Sequence, residues 1–148
     1  YGASSTPIPL LGRSAGLTDK GKAFVEQLDA ARIFVDLAHI RPQGFWDVVE
    51  VHDKSLPLID THTGVAGVSP HWRNLDDEQL KAIADTGGVV GIIWSQVFLQ
   101  KNNPNKGADM VVEHMQHIID TVGEDHVSID RVQKVLGGNF LRCWEGLR

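Results

Sequence analysis

Residues 33–39 read IFVDLAH, and this stretch decides how the rest of the sequence is interpreted. Its first five residues are mostly apolar and include β-branched side chains, which is typical of a short strand buried inside a protein. The run then stops on His39, a side chain that binds protons and metals. A second strand-like run, PLID at 57–60, is followed closely by His62. Both stretches predict strands that carry a histidine just past their carboxyl ends.

Helical and strand-like segments alternate along the whole sequence. Further strands are predicted over GVVGIIW (88–94) and HVSI (126–129). Helices are predicted between and after the strands, at 18–32, 44–54, 74–86, 108–123, 131–136 and 139–147. The strands recur at intervals of about 25–35 residues, the spacing of repeated βα units in a parallel sheet.

We therefore predict a single α/β domain over residues 1–148. Four strands are too few for a closed (β/α)8 TIM barrel, which needs roughly 250 residues. They suit either a small open sheet or about half of such a barrel, and the pattern alone leaves both alternatives open.

Composition excludes several classes of function. The net charge of −5, with scattered Lys and Arg, provides no basic surface for nucleic acid or anionic lipid. No run approaches the ~18 consecutive apolar residues of a membrane span. Cys143 is the single cysteine, so the fold does not depend on an internal disulfide, which suits a cytoplasm or a periplasm. We expect its thiol to be buried and inert.

The two strand-end histidines are the strongest chemical signal. In parallel α/β proteins the carboxyl ends of the strands form the edge where ligands bind. Consecutive strands joined by one helix are usually neighbours, so His39 and His62 are expected to be close enough for one metal ion. The alternative is two unrelated polar residues in loops. A zinc site needs at least one more ligand, and neither Asp36 nor Asp60 is an obvious one.

Other polar residues are weaker candidates. Arg73 ends the loop that begins at His62, where a guanidinium could hold a substrate carboxylate or simply cap the following helix. His114 and His117 are three apart on a predicted helix, and we expect both on its solvated face. His52 sits late in a helix, where a protonated imidazole suits the helix dipole.

The sequence resembles the renal or membrane dipeptidases, zinc metallopeptidases of peptidase family M19. Five blocks occur in the family's order: GLTDKGKAFVEQLDAARIFVDLAHI, PLIDTHTGV, RNLDDEQLKAIADTGGVVGI, DTVGEDHVSI and KVLGGNFLR. The resemblance implies a (β/α)8 barrel with two zinc ions per active site. It implies that His39 and His62 are metal ligands and that Arg73 binds the carboxylate of a dipeptide substrate. A water or hydroxide bridging the two metals would attack the peptide bond.

The family's remaining ligands do not occur in this sequence. Its His-x-Asp pair, its bridging glutamate and a substrate-contacting histidine belong to segments that precede the region matched here, so no catalytic carboxylate is identified. An SDFDG motif should follow DHVSI, but the sequence continues as DRVQKVLGGN. We therefore expect a discontinuity near 129–131, with about half of the barrel represented.

Three functional hypotheses follow. The first is a zinc dipeptidase whose other ligands come from further segments of the same protein, with a homodimer as one arrangement. The second is a non-catalytic half-barrel that acts as a binding or assembly module. The third is another metal-dependent barrel amidohydrolase, which explains the βα pattern but not RNLDDEQL or KVLGGNFLR. The retention of His39, His62 and Arg73 favours the first.

Overall fold

A computed structural model describes residues 16–99, 108–128 and 139–147. Within these ranges the structure has three strands: β1 (Ile59–Thr63), β2 (Val89–Ile92) and β3 (Val127–Ser128). The helices are α1 (Asp19–Ala30), α2 (Pro42–Val51), α3 (Asp77–Ala84), α4 (Gln96–Leu99), α5 (Ala108–Val122) and α6 (Asn139–Gly146). A 3-10 turn, Glu124–His126, precedes β3.

The strands form one parallel sheet in chain order, β1-β2-β3. The stretch around Asp36 adds a fourth, shorter ribbon beside β1. Ile59 N donates to Val35 O at 3.2 Å, and Leu37 N donates to Ile59 O at 2.8 Å. Parallel neighbours joined by helices confirm the predicted α/β architecture. A closed barrel is not described by these residues.

The first predicted strand is shorter than its apolar run. Arg32 has a left-handed backbone, with φ of 55°, and Ile33 N donates to Leu28 O, so the end of α1 occupies the start of the run. Ile33 is consequently exposed rather than buried. Pairing with β1 begins only at Val35, because the chain must first leave the helix.

The helix starts follow from their capping residues. Thr18, at the start of the predicted helix, caps α1 through a hydrogen bond from Gly21 N to its hydroxyl. The N-cap of α3 is Asp76, two residues after the predicted start at 74, and it forms a capping box with Gln79. Pro42 occupies the first turn of α2, where its missing N–H costs nothing.

The main core lies between the helices and one face of the sheet. Its most completely buried side chains are Phe45, Leu58, Leu80, Ile83, Ile118 and Val127. Strand alternation directs Ile59 and Val89 to the other face, where they pack with Cys143 of α6. The Cys143 thiol is buried, as expected, and burial raises its pKa.

Some expectations fall outside the described ranges. The predicted helix at 131–136 and the expected discontinuity near 129–131 both lie outside them. Among the helices that are described, none is both long and apolar enough to cross a membrane.

Candidate metal centre

His39 and His62 meet at the carboxyl edge of the sheet. Their Nε2 atoms are 2.8 Å apart, and their ring centroids are 4.9 Å apart. Two nitrogens bound to one zinc at ~2.0–2.1 Å lie roughly 3.3 Å apart at the tetrahedral angle. One ion therefore spans a pair this close with little adjustment, and the predicted convergence of the two side chains is confirmed.

A tight turn aims His39 at its partner. Ile40 N donates to Leu37 O at 3.2 Å, which closes the turn directly after the short ribbon. Within this turn His39 has a left-handed backbone, with φ of 67°. A non-glycine residue in this region is uncommon, and such strain persists only where the surroundings impose it.

A bulge in β1 places His62. Asp60 pairs with Val90 and Thr63 with Ile92, so two residues of β1 oppose a single residue, Gly91, of β2. An extra residue of this kind bends a strand and re-aims its side chains. The periodicity of the sequence contains no signal for this bulge.

A carboxylate and a hydroxyl lie directly behind the histidine pair. Asp36 Oδ1 accepts from Ala38 N at 3.0 Å and from Thr61 N at 3.1 Å. Its Oδ2 accepts from the Thr61 hydroxyl at 2.8 Å. Thr61 Oγ1 is also 2.8 Å from Nδ1 of His62. Asp36 thus connects the His39 turn to the end of β1, a role that sequence reasoning missed.

Arg73 lies beside the pair and is nearly buried. Its Nη2 donates to the backbone oxygen of His62 at 2.7 Å. Its guanidinium lies 4.7 Å from the centre of the Phe98 ring, within range for a cation–π contact. Among the described residues, the buried Nε of Arg73 has no hydrogen-bond partner.

Asp60 is buried on the opposite side of β1 from Thr61. Burial raises the pKa of Asp60 to about 7, and the nearby charge of Asp36 acts in the same direction. A hydrogen bond from His62 N and the charge of Arg73 oppose this shift. Desolvation lowers the pKa of His39, the charge of Arg73 and electrostatic repulsion by His62 lower it further, and the charge of Asp36 acts in the opposite direction. His39 is therefore biased toward the neutral form that metals bind.

The other histidines have structural contacts. The expectation that His114 faces solvent is wrong: it is completely buried, with Nδ1 accepting from Val65 N and Nε2 bonded to Leu99 O. His117, on the same helix, is partly exposed and pairs with Asp77 at 2.7 Å. The i, i+3 spacing could not reveal that the two rings have different environments. Within the described part of the chain, neither His114 nor His117 joins His39 and His62 in a group that could hold a metal.

In the described part of the chain, the donor set at this edge consists of the His39 and His62 side chains alone. No group of three or more His, Cys, Asp or Glu side chains is arranged to hold a metal within residues 16–99, 108–128 and 139–147. Their paired nitrogens fit a soft or borderline ion such as zinc, which accepts imidazole readily.

Comparison with known proteins places this arrangement in a family. The family model described as "Membrane dipeptidase (Peptidase family M19)" matches residues 1–131. An uncharacterized protein in the pqqA 5' region of Klebsiella pneumoniae is 35% identical over 117 residues, covering 77% of this chain and 42% of the relative. The chain thus spans less than half the length of this relative.

Two solved structures share the fold. A metallo peptidase from Rhodobacter sphaeroides, liganded with a phosphinate mimic of the dipeptide L-Ala-D-Ala, is 37% identical with a TM-score of 0.71. The match covers 77% of this chain and 33% of that one. The probable dipeptidase PvdM from Pseudomonas aeruginosa is 18% identical, with a TM-score of 0.84 over 99% of this chain and 59% of that one, a likeness of fold alone. The family match, which extends over most of the sequence, shows that the chain belongs to the membrane dipeptidases, peptidase family M19, a family of metal-dependent peptidases.

Proposed function

We propose that the protein is a zinc-dependent dipeptidase in which His39 and His62 hold one of two zinc ions. The observation that carries the proposal is the 2.8 Å separation of their Nε2 atoms at the carboxyl edge of a parallel sheet. Two imidazole nitrogens aimed at one point are a donor set that zinc accepts. Further ligands would come from parts of the protein other than the described residues, as would the strands that complete a (β/α)8 barrel.

Zinc bound at this edge would lower the pKa of a water molecule to provide a nucleophile at neutral pH, and it would polarise the substrate carbonyl. The chain's own residues orient the groups involved. The His39 turn and the β1 bulge fix the two rings, and Arg73 holds the backbone of His62 through its Nη2.

Arg73 is the proposed anchor for the substrate. It is only 8% exposed, and its Nε has no partner among the described residues, which leaves a donor for an incoming carboxylate. An arginine held in place by a backbone oxygen and an aromatic ring is well suited to this role because little entropy is lost on binding. The Rhodobacter sphaeroides neighbour, bound to a dipeptide mimic, supports a dipeptide as the ligand class.

The test is metal analysis together with turnover, on the full-length protein that contains this sequence. We expect about two zinc ions per chain and zinc-dependent hydrolysis of L-Ala-D-Ala. His39→Ala and His62→Ala should each lose about half of the metal and nearly all turnover, because one of the two ions would lose its histidine pair. His117→Ala, which removes a histidine paired at the surface, should retain both.

The substrate assignment has its own variant. Arg73→Lys keeps the charge but loses the planar donor set, so KM for the dipeptide should rise while zinc content stays unchanged. Unchanged metal content in both the His39 and His62 variants would refute the ligand assignment. An unchanged KM in the Arg73 variant would refute the anchor. The 148-residue chain alone is expected to be inactive toward L-Ala-D-Ala even with added zinc.

A further inference from the structure

We infer that Asp36 and Thr61 are positioning residues that set the tautomer of His62, so that its Nε2 carries a lone pair toward His39. This inference rests on the proposed metal site and adds to it the residues that prepare one ligand. Metal-binding histidines commonly have their second ring nitrogen bonded to an outer group that fixes tautomer and orientation. Here that outer group would be a hydroxyl held by a carboxylate.

The geometry of Asp36 is unusually complete for an exposed carboxylate. Three hydrogen bonds converge on it, two from backbone N–H groups and one from the Thr61 hydroxyl, at 2.8 to 3.1 Å. The two backbone donors, Ala38 N and Thr61 N, belong to the two segments that carry His39 and His62. One side chain therefore sets the spacing between both histidines.

The direction of each hydrogen bond follows from what each atom can donate. The ionised Asp36 carboxylate only accepts, so the single hydrogen of the Thr61 hydroxyl points to Asp36 Oδ2. The Thr61 oxygen must then accept from its other neighbour, Nδ1 of His62, at 2.8 Å. His62 consequently carries its hydrogen on Nδ1, and Nε2 is unprotonated.

The contact with His39 agrees with this assignment. Two unprotonated nitrogens at 2.8 Å would repel each other, so one hydrogen lies between them in the metal-free protein. If Nε2 of His62 has none, the hydrogen belongs to Nε2 of His39. An ion that binds the pair would take the place of that hydrogen, as is general for histidine ligands.

The sharpest test reverses the direction of the hydrogen bonds that run from Asp36 through Thr61 to His62. In Asp36→Asn the new amide can donate to Thr61, whose hydroxyl hydrogen is then free to point at His62 Nδ1. The hydrogen of His62 should therefore move to Nε2, the position that faces His39. A comparable replacement in the Ser-His-Asp triad acts by stabilising the wrong tautomer.

The measurement is nitrogen-15 NMR of the imidazole rings in the metal-free 148-residue chain, above the titration range of histidine. We expect the Nδ1–H form of His62 in the wild type and the Nε2–H form in Asp36→Asn. Thr61→Val, which deletes the hydroxyl without changing the side-chain shape much, should shift His62 toward Nε2–H. Thr61→Ser should restore the wild-type tautomer.

Asp53 offers a matched control. Its carboxylate also accepts from a backbone N–H and a hydroxyl, both of Ser55, but among the described residues no ring nitrogen contacts that hydroxyl. Asp53→Asn should leave the His62 resonances unchanged. A wild-type His62 in the Nε2–H form, or no change of tautomer in both Asp36→Asn and Thr61→Val, would overturn the inference.

Zinc affinity separates this inference from the proposed function. Competition with a chromogenic chelator should show binding about 10–100-fold weaker in Asp36→Asn and Thr61→Val, with Thr61→Ser near the wild type. Two results can differ. If the His62 tautomer changes as expected but His39→Ala does not alter zinc affinity, the positioning role of Asp36 and Thr61 is supported and the metal site is contradicted. If zinc affinity falls in His39→Ala but not in Asp36→Asn or Thr61→Val, the metal site is supported and the positioning role is contradicted.

Discussion

Two histidine–carboxylate arrangements lie at opposite ends of the same sheet, and they differ in what the second ring nitrogen faces. At the amino end, His52 Nδ1 is 2.8 Å from Asp29 Oδ1, and its Nε2 is 2.9 Å from the backbone oxygen of Leu56. At the carboxyl end, His62 reaches Asp36 through Thr61, and its Nε2 faces another imidazole.

The difference separates a structural histidine from a proposed metal ligand. Both ring nitrogens of His52 are occupied within the fold, by the Asp29 carboxylate and the Leu56 carbonyl, so neither faces an open position where a metal could bind. In the inferred arrangement His62 donates through Nδ1 only, which leaves a lone pair on Nε2. The same residue type beside a carboxylate thus makes contacts within the fold at one end of the sheet and prepares the proposed metal site at the other.

The largest expected effect on stability comes from removing His52, whose two ring nitrogens both have partners within the fold. His52→Ala leaves the buried Asp29 charge without its partner and should cost about 3–5 kcal/mol of unfolding free energy. His62→Ala, at the partly exposed edge, should cost about 1 kcal/mol or less. Urea denaturation of both variants measures the two values, and equal losses would contradict the distinction between the two ends.

A smaller effect should follow from disturbing the bulge that aims His62. A Cβ added at Gly91 would lie 2.2 Å from Thr61 O, so β1 and β2 must shift apart to accept Gly91→Ala. We expect a loss of about 1–3 kcal/mol in unfolding free energy, together with weaker zinc binding.

The matched control for that variant is in α6. Among the described residues nothing lies within 4 Å of a Cβ added at Gly146, so Gly146→Ala should not lower stability or zinc affinity. Wild-type zinc affinity in Gly91→Ala, despite a loss of stability, would show that the bulge does not position His62.

His114 is an intermediate case, buried but without a carboxylate partner, and its effect depends on pH. Burial lowers the pKa of His114 below its unfolded value near 6.5, although its bond to Leu99 O and the charge of Glu113 act in the opposite direction. The unfolded chain therefore takes up the proton first as pH falls. Stability from the neutral ring is complete above about pH 6.5 and decreases below it, by at most about 1.4 kcal/mol per pH unit.

His114→Asn tests this sign because its amide oxygen still accepts from Val65 N but does not titrate in this range. Its unfolding free energy should fall less between pH 6.5 and 5 than that of the wild type. Parallel pH profiles for wild type and His114→Asn would contradict the expected burial effect.

Much of the fold could be predicted because its signals are local. Apolar runs bounded by glycine and by helix caps predicted strands whose positions agree with β1, β2 and β3 to within a few residues. The approach of His39 to His62 followed from one rule, that consecutive parallel strands are neighbours. A fourth helix, Gln96–Leu99, was not predicted, since four residues are too few for a periodic pattern.

The contacts around the site could not be predicted because they depend on register. The sequence pattern could not show that Asp36 would bond with Thr61, 25 positions later. The bond between Val65 N and His114 spans 49 positions and has no local signature. Cross-strand alignment and helix rotation decide such contacts, and both are set by packing across the whole core.

The left-handed backbone at His39 creates a conflict of selection pressures. At a φ of 67° a glycine would relieve strain that the imidazole imposes, so the fold by itself favours losing this residue. If His39 holds a metal as proposed, this turn keeps a strained residue for the sake of that ligand and is less stable than a turn built on glycine would be.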